Sequence, residues 1–147
     1  MLEIRPFKQE DLDAIIAIEK KVFSTPWSPE AFLSFSLASA FWVRVAIEGE
    51  KIVGYCVAQV VGEEAELHNI AVAPEEQRKG VGHFLLDSFL KQAKQIGIVS
   101  VFLLVRPSNQ AAIHLYKSFQ FALLESRPRY YEDTKEDALV FCKNILN

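Results

Sequence analysis

The segment AELHNIAVAPEEQRKGVGHFLL, Ala65–Leu86, decides the fold. It runs as a strand to about Ala73, where Pro74 stops it. Gln77-Arg78-Lys79-Gly80-Val81-Gly82 then forms a loop, and an apolar helical pattern follows to about Ile96. A strand, a glycine loop and a long helix in that order present the unpaired N–H groups of a helix N-terminus. That arrangement suits an anion. Glycine permits close approach of the backbone, and Arg78 and Lys79 add positive charge beside the helix dipole. Pyrophosphate is the natural guest, although a G-x-G turn alone can equally serve only to join strand to helix. The loop lacks both the Gly-Lys-Ser/Thr ending of a Walker A sequence and the third glycine of a dinucleotide fingerprint.

Outward from this unit, strand and helix patterns keep alternating. LEIRPF (2–7) is strand-like, and QEDLDAIIAIEKKVF (9–23) sets Leu12, Ile15, Ile16, Ile18 and Val22 on helical spacing with acids in the first turn. Ser28 followed by Pro29 and Glu30 starts another helix. FWVRVAIEGEKIVGYCVAQVV (41–61) is two β-branched runs split at Glu48-Gly49-Glu50, an antiparallel hairpin. Downstream, IVSVFLLV (98–105) reads as a strand buried on both faces. SNQAAIHLYKSF (108–119) reads as a short helix capped by Ser108, and FALLESRPRYY and EDALVFCKNI as two final strands.

No repeat, low-complexity tract or linker interrupts the chain, so residues 1–147 read as one domain. A formal charge of -3 and a pI near 5.6 argue against nucleic acid bound through a broad basic face. The charged, proline-containing opening MLEIRPFKQED is no signal peptide, and no later apolar run approaches the roughly 18 residues of a membrane span. The expectation is a cytoplasmic protein with neither a membrane nor a nucleic-acid partner. Cys56 and Cys142 lie in apolar runs and read as reduced core thiols. His68, His83 and His114 have no ligand partners at metal-binding spacing, so no metal is expected.

Gln77–Gly82 resembles the Q/R-x-x-G-x-G/A signature of the GCN5-related N-acetyltransferases, whose loop binds the pyrophosphate of acetyl-CoA. FSTPWSPEAF, AELHNIAVAPEEQRKGVG, LLVRPSNQAAIHLYKSFQF and RYYEDTKEDALVF are further similar to the bacterial ribosomal-protein-alanine N-acetyltransferases within that family. The resemblance covers nearly the whole chain. It implies an α/β (α+β) fold in the order β-α-α-β-β-β-α-β-α-β-β. A mixed central sheet of about six to seven strands would be flanked by four helices and splayed between the fourth and fifth strands.

The resemblance also implies acetyl-CoA as co-substrate. Backbone N–H groups of Ile70, Ala71 and Val72 at a bulge would polarise the thioester carbonyl; Gln77, Arg78, Lys79, Gly80, Val81, Gly82 and His83 would hold the pyrophosphate; Asn109 would meet the pantetheine arm. Tyr116 would donate a proton to the departing thiolate. Asn109 has an alternative place in a helix cap, and Tyr116 one on an amphipathic helix face. The acceptor implied is the N-terminal amine of a protein, possible ribosomal proteins included, met by Trp27, Asn69, Arg106, Tyr130 and Tyr131. Ordinary turn and core packing is the alternative for the aromatic residues. The oligomeric state stays open, a monomer being the default.

One departure bears on the chemistry. The subfamily usually has Leu-Glu-Val-Arg on the fifth strand, its glutamate accepting the proton, where this chain has Leu103-Leu104-Val105-Arg106. Leu104 cannot take that role. Glu66, four residues before Ile70, is the replacement expected, with His68 two residues on as a base or relay; a solvated acid and a structural histidine are the alternatives. At pH 7 deprotonating an α-amine costs about 1 kcal/mol and a lysine about 4.6. A weak base therefore points to an N-terminus. Lysine, a small amine, or a coenzyme-binding module without turnover remain the other readings. Gln120, between Phe119 and Phe121 where the family has glycine, would be a left-handed helix end.

Overall fold

The stripe on QEDLDAIIAIEKKVF becomes a turn of 3-10 helix at Gln9–Asp11 followed by α1, Leu12–Val22, in a computed structural model that describes residues 1–145. Strand β1 (Leu2–Pro6) leads into it, and Asp11 locks the corner by accepting from Arg5 at 2.7 and 2.8 Å and from the Lys8 N–H. Ser28 caps α2 (Pro29–Leu37), its Oγ accepting from Ala31 N at 3.1 Å with Pro29 in the first turn. The hairpin follows as β2 (Phe41–Glu48) and β3 (Lys51–Val61). Next come β4 (Glu64–Val72), α3 (Val81–Gln95), β5 (Ser100–Val105), α4 (Gln110–Ser118), β6 (Ala122–Arg127) and β7 (Ala138–Asn144).

The strands form one seven-stranded sheet in the order β1-β2-β3-β4-β5-β7-β6, antiparallel throughout except for parallel β4 and β5. Alternation along β2, β3 and β4 feeds two cores. Val43, Val45, Tyr55 and Val57 pack with Ile15, Ile18 and Phe32 of α1 and α2 on one face. Trp42, Cys56, Leu67 and Leu103 pack with Leu85, Phe89 and Tyr116 of α3 and α4 on the other. Gly54 brings α3 onto the sheet: a Cβ there would lie 2.7 Å from the Ala71 carbonyl and 3.2 Å from Val81 Cγ1.

Three expectations need correction. β5 is not buried on both faces: Val101, Leu103 and Val105 are buried, while Ser100, Phe102 and Leu104 are half-buried. The cause is that α1 lies over β3 and β4 and α2 over β2, leaving that face of β5 partly open. Cys142 pairs with Phe102 on this open side and is half-buried, unlike sealed Cys56; both thiols are free. The cap of α4 is Asn109 rather than Ser108, because Asn109 Oδ1 reaches Ala112 N at 3.2 Å while the Ser108 N–H turns to Glu136.

Gln120 does sit in the left-handed region, φ 69°, as α4 ends with the Phe121 N–H on the Tyr116 carbonyl. Replacing Gln120 by glycine is expected to raise stability by about 1 kcal/mol, since the Cβ penalty disappears. Denaturant unfolding at unchanged m-value checks this.

Candidate active site

The sheet opens between β4 and β5. Their pairing runs from Glu64↔Ser100 to Leu67↔Leu103 and then ends, although β4 continues to Val72 and β5 to Val105. At the same place β4 bulges against β3, Val57 pairing with Asn69 and Ala58 with Leu67, so that His68 is the extra residue. The bulge therefore lies at His68, ahead of the expected place at Ile70 to Val72. It sits where β4 must turn away from β5, the bend an inserted residue produces. It also swaps the faces. Ala65 and Leu67 before it, and Ile70 and Val72 after it, face α3; Asn69 and Ala71 face α1.

Beyond the opening stands the N-terminus of α3. Gly80 is its N-cap at φ 86° and Arg78 is at φ 65°, so the loop coils tightly before the helix. No side chain caps this end, and Phe84 is the residue whose N–H first returns to a loop carbonyl, that of Gly80, at 3.0 Å. The amides ahead of it have no preceding turn to bond. Nothing lies within 4 Å of a Cβ added at Gly80. Those features, with Arg78 and Lys79 alongside, fit a pyrophosphate. Gly82 differs from Gly80: it is helical, and an added Cβ would meet Leu115 of α4 at an ordinary 3.5 Å. Gln77 has its side chain engaged, Nε2 donating to the Val72 carbonyl at 3.1 Å on the freed edge of β4. His83 packs on Phe119 with ring centroids 4.7 Å apart.

Gly82→Arg is expected to weaken acetyl-CoA binding at least tenfold, because a long side chain would enter the space beside the helix N-terminus. Calorimetry on folded protein checks it.

Tyr116 projects from α4 into the core of the α3 face, 7% exposed and 5.8 Å from the Phe121 ring. Its hydroxyl makes no hydrogen bond to a described residue, yet among those residues no buried side-chain oxygen or nitrogen lacks a partner. The hydroxyl is therefore not completely sealed. Burial pushes the phenol well above its ordinary value, so it stays protonated at neutral pH. Asn109 Oδ1 is used by the cap, which leaves its amide nitrogen for a ligand.

On the α1 face, Glu66 and His68 come together. His68 Nδ1 lies 3.7 Å from Glu66 Oε2, Nε2 lies 3.1 Å from Gln59 Oε1, and the ring stacks on Phe41 at 5.7 Å. Glu66 is 49% and His68 26% exposed. Glu66 pairs with Phe102, so carrying the register forward past Leu67↔Leu103 sets Leu104 opposite the bulge that holds His68. The acid absent from β5 is thus matched by an acid–imidazole pair on β4.

The expected acceptor residues divide. Trp27 lies on the loop between α1 and α2 against Phe32 and Phe35, at 5.8 and 4.9 Å. Arg106 is spent on the segment after β6: it binds both oxygens of Asp133 at 2.9 and 3.2 Å and Thr134 Oγ1 at 3.0 Å, and lies 4.0 Å over the Tyr131 ring. Ser24, on the Trp27 loop, donates to Asp133 at 2.7 Å. Together Arg106 and Ser24 hold the Asp133 carboxyl at about 2, below its usual range. Two loops distant in sequence are thereby joined beside the opening, with Tyr130 exposed at their edge. Sequence reasoning missed Ser24, Asp133, Gln59 and Phe41, none of which carries a local motif. It also missed Glu19, buried behind Asn69.

Comparison with known proteins matches residues 12–121 to the acetyltransferase (GNAT) family. The chain is 36% identical over 147 residues to the [ribosomal protein bS18]-alanine N-acetyltransferase of Escherichia coli K12, covering 99% of each. The crystal structure of the ribosomal-protein-S18-alanine N-acetyltransferase from Escherichia coli superposes with a TM-score of 0.92 at 35% identity, covering 99% of this chain and 94% of that one. Arabidopsis thaliana NAA60 in complex with acetyl-CoA shares the fold at a TM-score of 0.88 and 20% identity, with full coverage of both.

Proposed function

The chain belongs to the acetyltransferase (GNAT) family, and from that premise we propose that it acetylates the N-terminal amine of a protein, an alanine of a ribosomal protein being the leading candidate. It is an acetyl-CoA-dependent acyltransferase. The observation that carries the acceptor reading is Leu104 on β5 in place of a carboxylate, with Glu66 and His68 paired on the neighbouring β4.

Acetyl-CoA supplies an acetyl thioester. The first-turn amides of α3, with Arg78 and Lys79, hold its pyrophosphate, and the freed backbone of Ile70 to Val72 lines the arm that enters between β4 and β5. Glu66 takes the proton from the incoming amine, directly or through His68, whose Nδ1 lies 3.7 Å from Glu66 Oε2. Tyr116 Oη gives a proton to the leaving sulfur. Neither cysteine serves as a nucleophile: burial raises both thiols above their usual range, and Cys56 is sealed in the core. The acceptor therefore attacks directly. A partly exposed acid–imidazole pair suits an α-amine, whose deprotonation costs about 1 kcal/mol at pH 7, better than a lysine at about 4.6.

Mass spectrometry of N-terminal peptides from cells lacking this chain, against complemented cells, tests the acceptor. Loss of acetyl from an alanine-led protein supports the proposal, and an unchanged set of N-termini rejects it.

A further inference from the structure

Glu19 takes no part in the chemistry above, yet it is 1% exposed in the last turn of α1, on the stripe with Ile15 and Ile16. A carboxylate in such a place is costly unless donors surround it. Three do. Oε1 accepts from the Tyr55 hydroxyl of β3 and from Asn69 Nδ2 of β4 at 2.8 Å, and Oε2 accepts from the Trp27 N–H at 2.8 Å. Burial, with the carboxylate facing it, drives the Tyr55 phenol far above its ordinary value and keeps it a donor. One side chain thus ties helix α1 to the bulged strand and to the loop bearing Trp27.

Packing alone does not call for this, since buried ionic contacts are often replaceable by apolar ones. Their particular effect is orientation. An asparagine amide can sit either way round, but the Glu19 oxygen that accepts from the Tyr55 hydroxyl also accepts from Nδ2 of Asn69, which turns Oδ1 away. Asn69 is the first residue past the bulge and is half-buried. Its Oδ1 takes no hydrogen bond from a described residue and is not sealed.

We propose that Glu19 is a positioning residue for the acceptor: it fixes Asn69 so that Oδ1 receives the N–H of the incoming α-amine, and seats the Trp27 loop beside it. This rests on the N-terminal acetyltransferase reading. With its N–H groups on Oδ1, a neutral amine keeps its lone pair free to attack. An inverted amide would offer Nδ2 to that lone pair instead.

Glu19→Gln keeps the shape and removes the constraint. If its oxygen stays on the Trp27 N–H, its Nε2 faces Asn69, which turns Oδ1 inward; the opposite placement sets two donors against each other at Trp27. Peptide KM is expected to rise about tenfold, with KM for acetyl-CoA within about twofold, because the coenzyme loop lies on the other face. In an Asn69→Ala background, Glu19→Gln should add less than about twofold, since the group it orients is gone. Asn69→Ala alone, which leaves the bonds to Tyr55 and Trp27, should raise peptide KM similarly, and it serves as the arm that does not depend on Glu19→Gln folding. An unchanged peptide KM in either folded single variant, or equal effects of Glu19→Gln in both backgrounds, overturns the positioning role. A wild-type protein that acetylates no N-terminal peptide overturns the functional reading itself, and this proposal with it.

Discussion

Tyr116→Phe is expected to lower kcat by about 10- to 1,000-fold while acetyl-CoA affinity stays within about twofold, because in the proposed mechanism only the proton for the leaving thiolate is removed. The ring remains, so its contact with Phe121 at 5.8 Å and the core beneath α4 are kept. A buried phenol held above its ordinary range is a neutral donor across the whole pH span of an assay. The loss should therefore be the same at pH 7 and pH 9. Single-turnover rates with calorimetric affinity separate the two parameters; wild-type turnover in the folded variant would remove Tyr116 from the mechanism.

Glu66→Gln is expected to have the second large effect, and one that depends on pH. Near pH 7 much of an α-amine is protonated, and losing the acceptor is expected to cut kcat/KM by about 10- to 100-fold. By pH 9 the amine is mostly neutral and the defect should shrink to a few-fold. Leu104→Glu in that background places a carboxylate across the opening from His68, where it should recover part of the activity near pH 7. A carboxylate there also risks burial without a partner on half-covered β5, so circular dichroism accompanies the profiles. A folded Glu66→Gln enzyme with a wild-type profile would shift the proton to His68 or to an amine that arrives neutral.

The fold was legible because its signals are local. The apolar stripe of α1, the Ser28-Pro29 cap and the glycine split at Glu48-Gly49-Glu50 each name their element without reference to the rest of the chain. Gly80 was legible for the same reason, its left-handed conformation being the one glycine adopts freely. What escaped depends on neighbours. β5 is apolar enough to be covered twice, and only the position of α1 and α2 leaves one side open. A bulge was expected on β4 from the resemblance, but its position at His68 depends on where β4 parts from β5, which no residue of β4 announces. Glu19 did leave a trace, four residues after Ile15 and three before Val22 on an otherwise apolar stripe, where an acid signals a buried partner. Ser24 and Asp133 meet across 109 residues and leave none.

In the proposed mechanism the opening between β4 and β5 carries acetyl from acetyl-CoA to a protein α-amine. One peptide with a free N-terminal alanine and an internal lysine, incubated with the enzyme and acetyl-CoA, tests it by tandem mass spectrometry of the product. A single acetyl group on the alanine nitrogen is expected, formed with one equivalent of free thiol. Acetyl on the lysine, or bound acetyl-CoA with no thiol released, would contradict it.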